Sequence, residues 1–304
     1  MDNAQILAEI KKAGLLTSDG GLLNTEQVKQ FITDTVDSSS ILKQIRVERD
    51  IATTRQLNIM NLEGRLMHKP TEDTEPADDK LRKPTFSNRD LSPVEAMLPV
   101  NVSLDWFEQN IMKANAKALL QAEISKEAGN ELVDLLWNGD TADVSGDAPF
   151  LNIVDGVFKK LGADTDKVYF TRGASVDWKG VVFPGLVKLL ADRYKANRNG
   201  LVLLTSFDGE EEYRDQLADR ATALGDTYLT EGKGARFKGI PVEAVPFLPY
   251  GKVILTKKEN LVVGFGRDMS IYQQFVPRKR RFEYTLTTKI DYNYVLSPLT
   301  VFTD

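Results

Sequence analysis

The sequence of 304 residues has no cysteine and a single histidine, His68. The missing thiols exclude a disulfide, a thiolate nucleophile, an iron–sulfur cluster and a cysteine-ligated zinc site. A Ser-His-Asp triad or a histidine-rich metal site would depend on His68 alone, and we interpret this residue as exposed because it lies in a polar stretch beside Lys69 and Pro70. We therefore expect no catalytic, cofactor-binding or metal-binding residues, no cofactor and no enzyme activity.

Long apolar runs are also missing, and none approaches the roughly 20 residues that a membrane helix needs. The first residues, which include Asp2, Asn3 and Gln5, lack the apolar core of a signal peptide. We expect a chain that assembles in a reducing cytoplasm and does not enter a membrane. The 39 basic and 44 acidic side chains give a net charge of −5, which argues against a protein that coats nucleic acid over its whole surface.

The stretch from residue 45 to residue 102 is too extended for a compact globule. Apolar and polar residues alternate at both of its ends, which predicts strands. The apolar positions are Ile45, Val47, Ile51, Leu57 and Ile59, and then Val94, Ala96, Leu98, Val100 and Val102. A strand from Ile45 to Gly64 would reach roughly 65 Å, whereas a globule of this length is about 50 Å across. Because an isolated hairpin is only marginally stable, we infer that it lies against another chain.

A long amphipathic helix is predicted after this stretch. Asp105 and Glu108 resemble a capping pair at its start, and Asn138-Gly139 marks its end. Its apolar face consists of Phe107, Ile111, Ala114, Ala118, Leu132 and Leu136, continued by Ser125 and Gly129. From Trp106 to Trp137 the helix would be about 48 Å long, which suits both a structural strut and an ordinary core helix.

The other segments predict an arm, a mixed α/β region and a returning sheet, which together give the fold class α+β. Residues 1–40 read as two short helices without a core of their own. The elements predicted after the long helix are strands at Val168–Phe170, Leu201–Leu204, Ile240–Val242 and Val253–Leu255, helices at Leu186–Lys195 and Asp208–Leu224, and a polar loop at Gly225–Gly239. The last 40 residues alternate again and are predicted to return as sheet.

Two glycine-rich motifs are too incomplete to indicate a nucleotide site. Gly232-Lys233-Gly234 is not followed by the Ser or Thr of a phosphate loop, and Gly264-Phe265-Gly266 lacks the third glycine of a dinucleotide fingerprint. The consecutive glutamates Glu210-Glu211-Glu212 do not share one helix face, and they suit a first helical turn, where negative charge is favourable. We interpret Trp106, Trp137 and Trp178 as packing residues.

The strongest cluster of positive charge is Arg278-Lys279-Arg280-Arg281. In a strand these side chains would alternate between faces, so only about two would point the same way. A run without interleaved aromatic residues is not specific for nucleic acid, and a solvated or interfacial edge is the simpler interpretation. Contact with phosphate and pairing with the acidic stretch Glu72–Asp79 of a neighbouring copy are the alternatives.

The order of arm, long hairpin, long helix, α/β region and returning sheet resembles the major capsid protein of tailed bacteriophages, which has the Hong Kong 97-type fold. The resemblance covers nearly the whole chain and rests on order and spacing more than on rigid motifs. The stretches most alike are Leu98-Pro99-Val100-Asn101-Val102-Ser103, Asn138-Gly139-Asp140, Gly239-Ile240-Pro241-Val242, Val245-Pro246 with Val253 to Leu255, and Leu296-Ser297-Pro298-Leu299-Thr300.

This resemblance implies a division of the chain and a function. The implied parts are an N-terminal arm (1–45), an extended loop hairpin that lies over the adjacent subunit (46–102), a peripheral domain with the spine helix (103–149), an axial domain (150–265) whose Gly225–Gly239 loop is near the capsomer axis, and returning strands of the peripheral domain (266–304). Such a subunit self-assembles into pentamers and hexamers of an icosahedral shell around double-stranded DNA. It would be located in the virion capsid after assembly in the host bacterial cytoplasm.

The resemblance also implies partners. They are other copies of the chain, a separate scaffolding protein, a portal, non-specifically packaged double-stranded DNA and, as a further option, a decoration protein; a membrane is not among them. Some members crosslink subunits through Lys–Asn isopeptide bonds, which we do not expect here. Lys69, Lys80 and Lys83 are loop lysines, but Asn293 has no acidic neighbour except Asp291.

Three other classes of protein stay open. An encapsulin, a bacterial nanocompartment, shares the fold class but packages enzymes in place of DNA. A soluble α/β enzyme would be a stable monomer with a tight small-molecule ligand. A DNA-binding module would show salt-sensitive affinity through Arg278–Arg281.

Overall fold

A computed structural model describes residues 21–22, 33–36, 39–61, 67, 85–105, 116–174, 177–196, 198–218, 234–266 and 270–303. Within these ranges the chain forms two sheets of six strands and one separate two-stranded hairpin. The helices with described bounds are α1 (Ala116–Asn138), α2 (Ala148–Leu151), α3 (Val157–Ala163), α4 (Phe183–Leu189), α5 (Asp192–Ala196) and α6 (Phe207–Ala218). Most of the predicted arm, His68 and the 225–233 part of the predicted loop lie outside the described residues.

The first sheet is organised around the strand β13 (Arg281–Tyr294), which has 14 residues. Its other strands are β1 (Gly21–Leu22), β2 (Arg46–Ile51), β5 (Val94–Ser103), β11 (Leu261–Gly266) and β12 (Ser270–Val276). β5, β11 and β12 all pair antiparallel with β13, whereas β2 runs parallel to β11. The alternating burial of β5 and of the first half of β13 reflects a sheet with one face on the core.

The hairpin consists of β3 (Arg55–Asn61) and β4 (Thr85–Leu91), paired from Arg55 opposite Leu91 to Asn61 opposite Thr85. The prediction of one strand from Ile45 to Gly64 is wrong, because β2 ends at Ile51 and β3 begins only at Arg55. A bulge lies near the end of β2, where Arg49 and Asp50 are opposite the single residue Phe265 of β11 and Asp50 has a φ of 61°. The alternation at Val94–Val102 does form a strand, β5, but it pairs with β13.

α1 packs on the first sheet through its C-terminal half. Leu132, Leu136 and Trp137 share a core cluster with Phe265 and Ile290 of the sheet. The predicted end of this helix is confirmed, since α1 stops at Asn138. Residues 104–105 are helical, and the rest of the predicted start, including Trp106, lies outside the described residues.

The second sheet has buried central strands with core on both faces. Its strand order is β6 (Val168–Phe170), β14 (Val301–Thr303), β10 (Val253–Lys257), β7 (Leu201–Thr205), β9 (Ile240–Ala244) and β8 (Arg236–Phe237). In β7, Leu201 and Leu203 pack with α4 and α6, whereas Val202 and Leu204 join the cluster that contains the first sheet. One core thus connects the two sheets, and strands buried on both faces explain the unbroken apolar runs of the sequence.

Two predicted elements differ in this half of the chain. The helix predicted at Leu186–Lys195 is divided into α4 and α5, because Leu190 turns to an extended conformation (φ −60°, ψ 135°) and is buried. Residues 266–304 do not all return to the first sheet, because β14 pairs with β10 and β6 of the second sheet. The predicted strands at Val168–Phe170 and Leu201–Leu204 are confirmed.

Gly139, directly after α1, provides a test of packing between α1 and the following segment. A Cβ at this position would lie 2.2 Å from the carbonyl oxygen of Val154 and 2.7 Å from that of Leu135. We expect Gly139→Ala to lower the free energy of unfolding by about 1–3 kcal/mol because the backbone must shift. Urea denaturation measures this change. Gly146→Ala is the control, since a Cβ there meets no heavy atom within 4 Å, and equal losses in both variants would contradict the prediction.

Candidate functional site at the hairpin root

The hairpin is exposed along its strands and buried where it meets the body of the subunit. On β3, Gln56, Asn58 and Met60 are exposed, and Met60 retains 68% of its accessible surface. Leu57 and Leu91, by contrast, are buried. Because a two-stranded hairpin has little stability of its own, the buried end must hold it in place.

We call the buried end, where the hairpin meets the body of the subunit, the hairpin root. Its apolar part is a small core of four buried residues. They are Ile51, Leu57, Leu91 and Val262, with Val295 packed against them. Gly264 of β11 leaves room for them, since a Cβ there would lie 2.9 Å from Cδ1 of Ile51 and 3.4 Å from Cδ1 of Leu91. The glycine motif at 264–266 therefore lies within a buried strand, where Gly264 makes room for the hairpin root, and not in the strand–turn–helix of a dinucleotide fingerprint.

The polar part of the root is the Arg89 cluster, defined as Arg89, Asp164, Tyr294 and Ser297. Arg89 of β4 donates from Nη2 to Oδ2 of Asp164 and to Oγ of Ser297, each at 2.5 Å. Its guanidinium lies 4.1 Å from the centre of the Tyr294 ring. The Tyr294 hydroxyl and Ser297 Oγ donate to the same Asp164 oxygen at 2.5 and 2.6 Å. One carboxylate oxygen thus receives three donors.

The electrostatics of the Arg89 cluster favour the ionised carboxylate. Partial burial raises the pKa of Asp164, but hydrogen bonds from Ser297, Tyr294 and Arg89 outweigh it and hold the pKa well below its usual range. Burial, followed by the hydrogen bond to Asp164, raises the pKa of the Tyr294 phenol above its ordinary value. At neutral pH the cluster therefore contains a charged Arg89–Asp164 pair and a neutral tyrosine.

A second set of contacts holds the end of β4 beside β13. Asp291 accepts from the backbone N–H of Ser92 at 2.8 Å and from Nζ of Lys160 at 2.6 Å. Asn293 donates from Nδ2 to the carbonyl oxygen of Asp90 at 2.9 Å. These bonds and the Arg89 cluster connect β4 with α3, with Asp164 directly after α3 and with β13. The direction of the hairpin is therefore fixed within one subunit.

Three residues of the predicted basic cluster, Arg278 to Arg280, lie in a turn, and Arg281 is the first residue of β13. Pro277–Lys279 form a 3-10 helix between β12 and β13, and Arg280 has a φ of 48°. Arg281 pairs with Glu283 at 2.6 Å and Arg280 with Asp105 at 3.3 Å. The interpretation as alternating strand positions is therefore wrong, and part of the charge is neutralised within the chain.

The other residues noted in the sequence have structural surroundings. Glu210 pairs with Arg214 at 2.6 Å, and Glu212 accepts from Trp178 Nε1 at 2.6 Å, so these glutamates have separate partners. Trp137 and Trp178 are buried, as predicted. In the described part of the chain no group of three or more histidine, cysteine, aspartate or glutamate side chains could hold a metal ion, and no helix is long and apolar enough to cross a membrane.

Comparisons with known proteins identify the class of this fold. No family model matches the chain. It is 27% identical over 303 residues to "Putative prophage capsid protein YqbE" of Bacillus subtilis (strain 168), covering 96% of this chain and 94% of that protein. The subunit in the satellite phage P4 procapsid, a structure that includes the size determination (Sid) protein, superposes with a TM-score of 0.73 and 14% identity, covering 100% of this chain and 98% of that one. A virus-like particle from Pyrococcus furiosus gives a TM-score of 0.53 and 10% identity over 90% of this chain and 96% of that one.

The fold is thus that of the Hong Kong 97-type capsid proteins. The predicted α+β class and the resemblance to the fold of tailed-phage capsid proteins are confirmed. The relatives belong to a structural class of protein and are not enzymes.

Replacing Arg89 tests whether the hairpin root directs assembly. We expect Arg89→Ala to cost about 1.5–3 kcal/mol of folding free energy, because a charged hydrogen-bonded pair is broken and Asp164 loses its cation. The variant should keep its secondary structure but form few closed particles, as judged by circular dichroism and electron microscopy. Arg236→Ala removes an exposed arginine outside the hairpin and the basic cluster, and it serves as the control. Normal particles from Arg89→Ala would show that the Arg89 cluster does not guide the hairpin.

The depressed pKa of Asp164 predicts a dependence of stability on pH. The folded-state pKa lies below the unfolded value near 3.9. The contribution of the carboxylate is therefore complete above about pH 5 and is lost as the pH falls through the lower folded-state value. Asp164→Asn should be less stable than the unchanged chain at pH 7, and the difference should shrink toward pH 3 in denaturant unfolding. Asp192→Asn, at an exposed ion pair, should show no such convergence.

Proposed function

We propose that this chain is the major capsid protein of a tailed bacteriophage or prophage. Copies of it assemble into pentamers and hexamers, which close into an icosahedral shell around double-stranded DNA. The similarity to the Bacillus subtilis prophage protein along nearly the full length of both chains carries the proposal. The location that follows is the virion capsid, with assembly in the cytoplasm of the host bacterium.

The geometry of the hairpin supports assembly through neighbouring subunits. Its strands expose Met60 and a row of polar side chains, while the root is fixed by buried contacts. Because the root is fixed and the strands are exposed, the hairpin presents the same surface in each copy. It can therefore bind the next subunit with little loss of conformational entropy. Repeated head-to-tail contacts of this kind close into rings and shells when the rotation between copies permits.

The proposed division of the chain follows the resemblance. An arm (1–45) precedes the extended loop (46–102), the peripheral domain (103–149) and the axial domain (150–265), and residues 266–304 complete the peripheral sheet. The strand pairings support two refinements: β11 is assigned to the peripheral sheet, and β14 to the axial sheet.

The partners that we propose are other copies of this chain, a separate scaffolding protein, a portal, non-specifically packaged DNA and, as a further option, a decoration protein. Exposed ion pairs between subunits contribute about 0–1 kcal/mol each, so stability would come from their number around the shell. We propose no catalytic, cofactor or metal site and no crosslink through Asn293, whose amide already donates to Asp90.

An encapsulin-like nanocompartment is the second candidate. The likeness to the virus-like particle from Pyrococcus furiosus favours keeping it, because a shell of this fold does not by itself specify its contents. A soluble α/β enzyme is less well supported, since the relatives are capsid proteins.

Shortening the hairpin tests shell formation directly. We expect a variant in which Asn-Gly replaces residues 62–84 to fold, because Asn61 and Thr85 are paired and a two-residue turn suits such a register. It should keep the unfolding midpoint of the full chain within a few degrees and form no closed shells by electron microscopy. Arg236→Ala again controls for surface changes away from the hairpin. Closed shells of normal size from the shortened chain would overturn the proposed role of the hairpin.

The contents of purified particles distinguish the two candidates. A phage capsid should protect double-stranded DNA from added nuclease when particles are isolated from lysed cells. Particles that contain a folded protein cargo and no protected DNA would favour the nanocompartment.

A further inference from the structure

A groove lies between α1 and the first sheet, and the proposed assembly through the hairpin does not use it. It has a volume of about 690 Å³. Its floor is the sheet face formed by Ala96, Leu98 and Val100 of β5 with Thr288 and Ile290 of β13. The opposite wall is α1, and Pro149 and Phe150 of α2 also line the groove. The floor is largely apolar, so an apolar side chain that replaced water in the groove would bind with a favourable free energy.

The α1 wall of the groove carries a line of negative charge. Glu123, Glu127 and Glu131 follow one another at intervals of four residues and therefore share one face of the helix. In the described part of the chain none of the three forms an ion pair. Burial, and then the neighbouring charges of Glu127 and Asp134, raise the pKa of Glu131, which indicates uncompensated negative charge at the rim.

The floor also contains a polar atom without a partner. The hydroxyl oxygen of Thr288 is buried, lines the groove and has no hydrogen-bond partner among the described residues. A buried hydroxyl without a partner is costly, and an occupant with a donor or acceptor at this point would remove the cost. The groove thus combines an apolar floor, an acidic wall and an unpaired hydroxyl.

We propose that this groove binds a basic amphipathic helix of a partner protein. Its apolar face would cover the β5 and β13 side chains, and its lysine or arginine side chains would reach the three glutamates. Two of the described helices, α1 and α6, are longer than eight residues, and both carry more acidic than basic side chains. Neither helix of a second copy would therefore complement the acidic wall. A nucleic acid or an anionic membrane would be repelled by the same charges.

Binding by a single subunit tests this inference separately from shell formation. The probe is a fluorescein-labelled synthetic helix of 18 residues with leucine along one face and arginine on both flanks. It is titrated with the full chain at concentrations where sedimentation shows unassembled protein, and anisotropy reports binding. Two control helices keep either the leucine face with glutamate flanks or the arginine flanks with serine in place of leucine.

We expect only the basic amphipathic helix to bind. The triple variant Glu123→Gln, Glu127→Gln, Glu131→Gln should bind it at least about tenfold more weakly, because three attractive charges are removed from the wall. The matched variant Asp208→Asn, Glu211→Gln, Asp215→Asn makes the same charge change on exposed positions of α6 and should bind as the unchanged chain does. Hydrogen exchange should show protection of residues 96–100 and 123–132 on binding.

Three results of the binding experiment would overturn the inference. They are equal weakening by both triple variants, equal binding of the arginine helix that lacks leucine, and protection confined to other segments. A fourth such result would be a groove that a second copy of the chain already fills. The unassembled protein would then sediment as a dimer, and the dimer would stay intact when the helix is added. None of these outcomes depends on whether the chain goes on to form shells.

Discussion

The ion pair between Arg89 and Asp164 is the interaction on which the position of the hairpin depends. A two-stranded hairpin that projects from a subunit keeps one orientation only if contacts at its base prevent it from rotating. Here the base combines an apolar core, in which Leu91 is fully buried, with a carboxylate that accepts three hydrogen bonds. The charged pair is only partly desolvated, so its attraction is not cancelled by the full cost of burying two isolated charges. The result is a projecting element with a defined orientation in a single subunit.

The position of this ion pair connects the hairpin with both sheets. Asp164 follows α3 and precedes β6 of the second sheet, whereas Tyr294 ends β13 of the first. Movement of one sheet relative to the other would therefore change the donors around Asp164, and a change in the hairpin would act on the same carboxylate. A subunit that must fit into different rings of a shell gains from such a connection, since a small rotation at the base is a large displacement at the far end of the hairpin.

The sequence predicted the elements with regular patterns and missed the contacts between them. Alternation marked β5, and the unbroken apolar runs marked β7 and β10, because those patterns follow directly from which faces are buried. β4 was not predicted, since Thr85–Leu91 contains no regular alternation of apolar residues. The Arg89 cluster could not be predicted either: Asp164 is 75 residues from Arg89 and Ser297 is 208 residues away, and a single arginine in a polar stretch carries no signal of its partner. The glutamates of α1 were visible, but only the structure shows an apolar floor beside them.

The place of β14 in the second sheet has a consequence for the timing of folding. Residues 301–303 lie between β6 and β10, which are formed by segments that are synthesised well before them. The two sides of that sheet cannot join until residues 301–303 have been synthesised, so the buried surface shared by the sheets is completed only after β13 has been made. Nascent chains that still lack this strand would not present a finished subunit to their neighbours, which separates the synthesis of each copy from its incorporation into a larger particle.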